Sequence, residues 1–428
     1  MKSNLFTLKL LKNKSFNLIL AVICLNIPSI MAQKTVTVNE YLISTKDAYQ
    51  VKSDADRIAF LNEYNHNLPL IKGAQLRSET KDFLVNKQEC SLRVSPNSLS
   101  AISHQKKIYR SKIEKVKIKN QRNFNKELKK RYLLLIDYIF TKDLIELYEE
   151  KHIQIKDKLT ILGQSIYNID FDVNDLIDTE EELIAIELKL ANLKDDQFNQ
   201  LYLIRQFLNF HGGSLNFDLK DLIQPAQIIK NSSTNFTKNE HLSIRLQKVK
   251  LNTLENEMLL NSAKSNQIID YFQVKYNGSK NFVFEENFSA GIGINLPFFA
   301  GTRRKKGKYY FDKLSEESKL VTIKRDVEDE QKLIFNEFKT SITNYQTLKQ
   351  QIVESNVNSI IDYYGNMEGV SPILILKLNI LQNKKKTEVL KAKHDLFKTY
   401  IRTLDIQETL YKQPLRNYLS SDMRLLLP

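Results

Sequence analysis

Hydrophobic and polar positions alternate along a short stretch in the second half of the chain. In FSAGIGINL, residues 288–296, an apolar residue occupies every second position and a small or polar residue lies between. This period of two is typical of a β-strand with one apolar and one polar surface. Pro297 ends the predicted strand because proline cannot donate a hydrogen bond to a neighbouring strand. Gly301 then permits a sharp bend before the basic run at residues 303–306.

Long segments without proline surround this strand. No proline occurs between Pro96 and Pro225, or between Pro297 and Pro372. Proline and glycine are the strongest interruptions of helices, so their scarcity predicts unusually long ones. A helix that fills most of the first proline-free segment would extend roughly 90 Å at 1.5 Å per residue. We predict five helices: residues 99–166, a second helix that follows a turn at 168–174 and ends near 208, and then 239–268, 303–364 and 372–410. The predicted strands are residues 91–95, 269–276 and 288–296, and residues 82–87 are a weaker candidate.

The same order of predicted elements occurs twice, which indicates an internal duplication. Pro96 and Pro297 each end a strand and precede a basic helix start. Asn174 and Ser371 are predicted N-caps after corresponding turns, and Pro372 occupies the favoured first helical position. The predicted organisation is a signal peptide at 1–32, a first half at 33–211, a linker or equatorial segment at 212–237, a second half at 238–412 and a C-terminal tail at 413–428.

The N-terminal residues have the pattern of an export signal. A basic region with four lysines precedes an apolar run at residues 16–25, and Ile30-Met31-Ala32 is a plausible cleavage site. The alternative is an uncleaved anchor helix, although the run is short for a membrane span. After cleavage only Cys90 remains, so no disulfide can form within the chain. No later stretch reaches the roughly 20 apolar residues of a spanning helix, so a later membrane crossing must use strands.

Charge and candidate chemistry add little to this picture. The formal net charge is +14, and a basic surface suits nucleic acid, anionic lipid or an acidic partner. An exported chain seldom meets nucleic acid, so lipid or protein is the better expectation. The histidines are scattered without ligand spacing, and no phosphate-loop glycine pattern occurs. We predict no catalytic, cofactor-binding or metal site, and therefore not an enzyme.

Two motifs resemble the outer-membrane efflux protein family, also called TolC-like. LPFFAGTRRKK at residues 296–306 is similar to the family's passage from strand to helix. YYGNMEGVSPILILKLNILQ at 363–382 is similar to the turn of its second helical hairpin. The order and spacing of the two motifs also agree with the family. The candidate residues of the strand-to-helix passage are Pro297, Phe298, Phe299, Gly301, Arg303 and Arg304.

The resemblance implies a fold that is mainly α with a small β part. Long helical hairpins of three chains would form an α-barrel across the periplasm, and short strands would share one transmembrane β-barrel in outer-membrane lipid. The implied role is the exit duct of a tripartite efflux or type I secretion system. The implied partners are two further copies of the chain, a periplasmic adaptor protein and an inner-membrane pump. The candidate adaptor contacts in the hairpin turns are Val173, Asn174, Asp175, Gly369, Val370 and Ser371.

The resemblance also implies candidate residues at the closed periplasmic entrance of the channel. Its type member carries two aspartates just after the second turn, but the aligned residues here are Ile375 and Leu378. They form an apolar constriction or pack within the hairpin. The first hairpin has Asp178 and Glu181 at the equivalent offset. They form an acidic ring that favours cations or an ordinary solvated helix face.

Two further points stay open in the sequence. The family brings two strands from each half, whereas the first half shows only one clearly. Aromatic residues cluster around the strands, as in a girdle at the lipid boundary or in ordinary sheet packing: Tyr271, Phe272, Tyr276, Phe282, Phe284, Phe288, Phe298 and Phe299. The alternative function is a periplasmic coiled-coil adaptor or scaffold without a pore, and a third is a cytosolic coiled coil on nucleic acid.

Overall fold

Long helices dominate the computed structural model, together with one four-stranded and one two-stranded sheet. It describes residues 34–64, 67–80, 88–167, 171–210, 215–218, 222–232, 240–278, 287–296, 301–365, 367 and 369–426. In chain order the elements are β1 (Lys34–Thr37), α1 (Val38–Ile43), α2 (Tyr49–Glu63), β2 (Ile71–Thr80), β3 (Gln88–Pro96), α3 (Leu99–Gln164), α4 (Val173–Phe207), β4 (Leu215–Asp218), α5 (Pro225–Ser232), α6 (Leu242–Ser265), β5 (Ile269–Tyr276), β6 (Phe288–Ile294), α7 (Gly301–Val353), α8 (Val357–Gly365) and α9 (Pro372–Ile406). The predicted class, mainly α with a small β part, is confirmed.

The larger sheet joins the two halves of the chain. Its antiparallel strands follow the order β2-β3-β5-β6. Cys90 of β3 lies opposite Ser78 of β2 on one side and opposite Tyr276 of β5 on the other. Tyr276 in turn lies opposite Phe288 of β6. The first half therefore supplies one pair of adjacent strands and the second half supplies the other.

Strand β2 is missing from the sequence prediction. The clear prediction at residues 91–95 lies within β3, whereas the weaker candidate at 82–87 lies outside the described residues. β2 has the sequence IKGAQLRSET, and all its residues are exposed. Only Ala74 and Leu76 are apolar on the face that also carries Ser78 and Thr80, so the alternation is too weak to detect. With β2 included, each half contributes two strands, as the resemblance implies.

Four of the five predicted helices agree with the structure to within a few residues at each end. α3 has 66 residues, which corresponds to about 100 Å at 1.5 Å per residue. It begins where Ser98 Oγ accepts the backbone N–H of Ala101 at 3.0 Å, a typical N-cap. α4 packs along α3, and α9 packs along both α3 and α7. Each long helix thus shares its apolar surface with neighbours over much of its length.

The predicted helix over residues 303–364 is wrong in one respect, because it is interrupted. α7 ends at Val353 and α8 begins at Val357. Ser355 Oγ lies 3.4 Å from the backbone nitrogen of Val357 and accepts Lys385 Nζ of α9 at 2.6 Å. Serine side chains compete with helical hydrogen bonds in this way, which explains the interruption.

The order of elements repeats along the chain. A helix, two strands and a long helix occur as α2-β2-β3-α3 and again as α6-β5-β6-α7. The returning helices are α4 and α9 respectively. This order supports the proposed duplication, while the domain boundaries stay predictions.

The first described strand, the predicted linker and the C-terminal segment pack together. β1 pairs in parallel with β4, and Ile223 donates its N–H to the carbonyl oxygen of Leu419 at 2.8 Å. Leu415, Leu419 and Leu426 are buried in the largest apolar cluster, together with residues of α3 and α9. The segments predicted as linker and tail therefore pack against the long helices α3 and α9.

Candidate functional site

The first hairpin turn leads into α4 and contains three candidate adaptor contacts. Val173 and Asn174 are exposed, and Asp175 is half-buried. Asp172 is the N-cap of α4, since its Oδ1 accepts the N–H of Asn174 at 2.9 Å. The prediction of Asn174 as N-cap is therefore wrong. Asp172 reaches the amide two residues ahead, and its negative charge also suits a helix N-terminus.

The second hairpin turn agrees with its prediction. Ser371 is the N-cap of α9 and Pro372 is at the start of the helix. Gly369 has a φ of 87°, in the left-handed region that glycine adopts without a steric cost. Gly369 and Ser371 are exposed and Val370 is half-buried. Both sets of turn residues thus present accessible surface.

Asp175 connects the two hairpins. Its Oδ1 lies 2.8 Å from Lys158 Nζ of α3, and its Oδ2 lies 2.9 Å from Lys377 Nζ of α9. Burial raises the pKa of Asp175, but the hydrogen bonds and charges of the two lysines lower the pKa by more, so the net shift is downward. The side chain of Lys158 is only 8% exposed, so its charge depends on this partner.

The candidate acidic pair has no such connection. Asp178 and Glu181 are exposed on α4, one turn apart. Neither forms an ion pair with another described residue. The next residue, Glu182, pairs with Lys151 of α3 at 2.6 Å. The geometry therefore leaves two uncompensated carboxylates on the surface of the first hairpin.

The candidate apolar pair lies in the second hairpin, near the start of α9. Ile375 and Leu378 are half-buried in α9. Ile380 of the same helix packs against a small apolar cluster formed by α3 and α4. Leu374 and Leu381 flank the pair and are 41% exposed. This end of α9 thus carries more apolar surface than one chain covers.

Polar contacts join α3 to α9 along their shared length. Asp137 of α3 lies 2.7 Å from His394 Nε2 and 2.9 Å from Lys398 Nζ of α9. Burial raises the pKa of Asp137, but the bonds from His394 and Lys398 outweigh burial and the net shift is downward. Asp405 contacts Lys129 Nζ at 2.6 Å. These contacts fix the register between the two hairpins.

The predicted strand-to-helix passage is described only in part. β6 ends at Ile294 and α7 begins at Gly301, so a strand passes into a helix where the motif predicts it. Pro297, Phe298 and Phe299 lie outside the described residues. Arg303 lies in the first turn of α7, and Arg304 is exposed.

The four-stranded sheet has two chemically different faces. The pairing register places large apolar side chains together on what we call the apolar face: Leu76, Leu92, Phe272, Val274, Phe288 and Ile292. The opposite, polar face carries Gln75, Arg77, Glu79, Glu89, Ser91, Arg93, Tyr271, Gln273, Lys275 and Ser289. The alternating pattern of β6 predicts its two faces, but only the pairing register aligns the faces of different strands.

The register also divides the predicted aromatic girdle. Tyr276 and Phe288 lie on the apolar face with ring centroids 5.3 Å apart, and Phe272 shares that face. Tyr271 lies on the polar face, apart from these three aromatic residues. Phe282, Phe284, Phe298 and Phe299 lie outside the described residues.

Two classes of site are absent from the described part of the chain. No helix there is long and apolar enough to cross a membrane. No group of three or more His, Cys, Asp or Glu side chains in the described ranges could hold a metal ion.

Comparisons with solved structures identify the fold. No family profile and no curated protein matches the sequence. The outer-membrane channel OprN superposes with a TM-score of 0.63 at 10% identity, covering 87% of this chain and 90% of that one. The open-state MtrE channel of Neisseria gonorrhoeae gives 0.63 at 10% identity, covering 90% of both chains. The CmeC channel of Campylobacter jejuni gives 0.53 at 12% identity, covering 88% and 85%. Together with the paired strands and long hairpins, these superpositions show that the chain has the fold of TolC-like outer-membrane channels.

Proposed function

We propose that this chain is an outer-membrane exit channel of a tripartite efflux or type I secretion system in a Gram-negative bacterium. The supporting observation is a two-faced sheet whose strands β3 and β6 are followed by the long helices α3 and α7, of which α3 extends about 100 Å. In a transmembrane barrel the apolar face contacts lipid and the polar face lines water. The hairpins extend into the periplasm. The chain conducts solutes and performs no chemistry.

Three copies form the channel in this proposal. The sheet order leaves β2 and β6 at the edges, each with one side unpaired by described strands. Open edges are not tolerated in lipid, because their backbone groups would lack hydrogen bonds. Pairing β6 of one chain with β2 of the next closes the sheet. Exposed apolar residues on the helices, such as Leu188, Val321 and Leu333, support packing against neighbouring chains.

The hairpin turns are the proposed contact with a periplasmic adaptor, which connects the channel to an inner-membrane pump. Their candidate residues are exposed or half-buried and lie at the ends of the helices farthest from the sheet. Asp178 and Glu181 are proposed to line the entrance as an acidic ring. Ile375 and Leu378 are proposed to narrow it by an apolar constriction.

The test is the size and conductance of the purified protein. Detergent-extracted protein should have the mass of three chains and should produce discrete conductance steps in a planar bilayer. Membranes washed with high salt should retain it, whereas a periplasmic scaffold without a pore would be released. A water-soluble monomer that passes no ions would contradict the proposal.

A further inference from the structure

Three residues from three adjacent strands are stacked on the polar face of the sheet. The guanidinium of Arg93 lies over the ring of Tyr271, 4.0 Å from the ring centroid. Tyr271 lies opposite Gly293 in the register. A Cβ added to Gly293 would clash with that ring, so the ring occupies the space above the glycine backbone. The ring of Tyr271 therefore contacts both Gly293 and Arg93.

The position of the Arg93 guanidinium is restricted from two sides. Its Nη2 donates a hydrogen bond to Gln273 Oε1 at 3.1 Å, and Gln273 lies directly opposite Arg93 on β5. The negative face of the tyrosine ring attracts the cation without neutralising it. The arginine therefore has a defined place on the polar face rather than a mobile, solvated side chain.

The charge of Arg93 is not compensated by any carboxylate among the described residues. Lys275, on the same face, is paired with Glu89 at 2.6 Å. Glu89 lies opposite Glu79, four residues along β3 from Arg93, which is about 13 Å at 3.3 Å per residue. Within the described part of the chain, the buried Nε of Arg93 has no hydrogen-bond partner. The polar face thus presents a fixed positive charge at the height of Arg93.

We propose that the stack of Arg93, Tyr271 and Gly293 is an anion-selective element of the pore. The proposal rests on the channel function above, since it requires the polar face to line the conducting path. Arg93 would attract solutes that carry a carboxylate, phosphate or other anionic group, because a fixed guanidinium binds such groups well. Copies in neighbouring chains would lie at the same height and add their potentials.

The ion selectivity of the reconstituted channel tests this assignment. We expect the reversal potential in a KCl gradient to show that Arg93→Gln lowers the chloride-to-potassium permeability ratio by about twofold or more, because a fixed pore charge changes local ion concentrations on that scale. Arg93→Lys should give a permeability ratio between those of the wild type and Arg93→Gln, since it keeps the charge but loses the planar stack that fixes its position.

Two glycines of β6 provide a matched pair that leaves every charge in place. Gly291 and Gly293 lie on the same face of one strand. An added Cβ at Gly291 meets no atom within 4 Å, whereas one at Gly293 displaces Tyr271. Gly293→Ala should therefore lower the permeability ratio partway toward that of Arg93→Gln, because the guanidinium keeps its charge but loses its fixed position. Gly291→Ala should keep the wild-type ratio.

The outcomes separate the two proposals. A wild-type channel that conducts, with Arg93→Gln unchanged in reversal potential, would overturn the anion-selective element and leave the channel function intact. If Arg93→Gln does not assemble, equal ratios for the two glycine variants would overturn it instead. Wild-type protein that inserts as an oligomer but passes no ions would overturn both.

Discussion

At the residue scale, Asp175 illustrates how one carboxylate can connect two hairpins. It accepts charge-assisted bonds from Lys158 of the first hairpin and Lys377 of the second. Because its pKa is lowered in the fold, this contribution to stability is present at neutral pH and is lost as the pH falls through the folded pKa. Because Lys158 is mostly buried, loss of its partner costs more free energy of unfolding than loss of an exposed ion pair.

Replacing Asp175 by Asn should destabilise the contact between the hairpins. We expect a loss of about 1–3 kcal/mol, because the mostly buried Lys158 would lose its charged partner. Thermal unfolding in detergent at pH 7, followed by circular dichroism, measures the effect. Asp178→Asn is the matched control, since Asp178 is exposed three residues further along the same helix. Equal melting temperatures for the two variants would contradict the role given to Asp175.

Glu408 is a second carboxylate whose surroundings oppose its charge. Its Oε2 accepts the N–H of Leu242 at 2.7 Å, and its Oε1 lies 3.2 Å from His241 Nε2. Burial raises the pKa of Glu408, whereas the bond from Leu242 and the charge of Arg122 lower it. Burial outweighs them, so the pKa of Glu408 is raised to about 7. Burial, together with the charge of Arg122, lowers the pKa of His241. This pair contacts the start of α6 and therefore couples that helix to the segment after α9.

The stability of the protein should consequently depend on the protonation of Glu408. The folded chain keeps this proton up to a pH of about 7, whereas the unfolded chain releases it near the ordinary glutamate pKa of 4.5. Its contribution is therefore fully present below that lower pH and is lost as the pH rises through the folded pKa.

Glu408→Gln should remove that dependence while His241 remains. Between pH 5 and pH 8 we expect the wild type to lose about 2–3 kcal/mol more stability than the variant, at about 1.36 kcal/mol per pKa unit. Melting temperatures at several pH values give the comparison. Parallel pH profiles for wild type and variant would show that Glu408 does not titrate in this range.

At the scale of elements, the sequence predicts most of the architecture. β5 occupies residues 269–276 as predicted, and α3 differs from its prediction by two residues. Strong alternation and the absence of proline are local signals, so a single segment carries them. β2 and the interruption before α8 lack such signals. The first depends on pairing with β3, and the second on the contact between Ser355 and Lys385.

The entrance hypotheses also belong to this scale, because they concern one end of each hairpin. Replacing both Ile375 and Leu378 by Ser should raise single-channel conductance severalfold if they form a dewetting constriction. Replacing both Asp178 and Glu181 by Ala should lower the preference for cations at the entrance. Single-channel recordings with reversal potentials measure both effects. Unchanged conductance would place the apolar pair in ordinary packing, and unchanged selectivity would leave the acidic pair as solvated surface.

At the scale of the whole molecule, the candidate site is harder to predict than the fold. Arg93, Tyr271 and Gly293 are far apart in sequence and come together only through the register of β3, β5 and β6. Without that register Tyr271 is one aromatic residue among several near a strand, and Gly293 is a small residue in an alternating pattern. The faces of single strands can be predicted locally, but the residues that share a height in the sheet cannot.

The largest apolar cluster has a consequence for how the protein is made. It contains Val36 and Tyr41 from the first described residues, and Leu415, Leu419 and Leu426 from the last. An exported chain emerges from the N-terminus onward, so the early residues wait for their partners until nearly all of the protein has been translocated. During that interval the unpaired strands and amphipathic helices expose surfaces that are prone to aggregation.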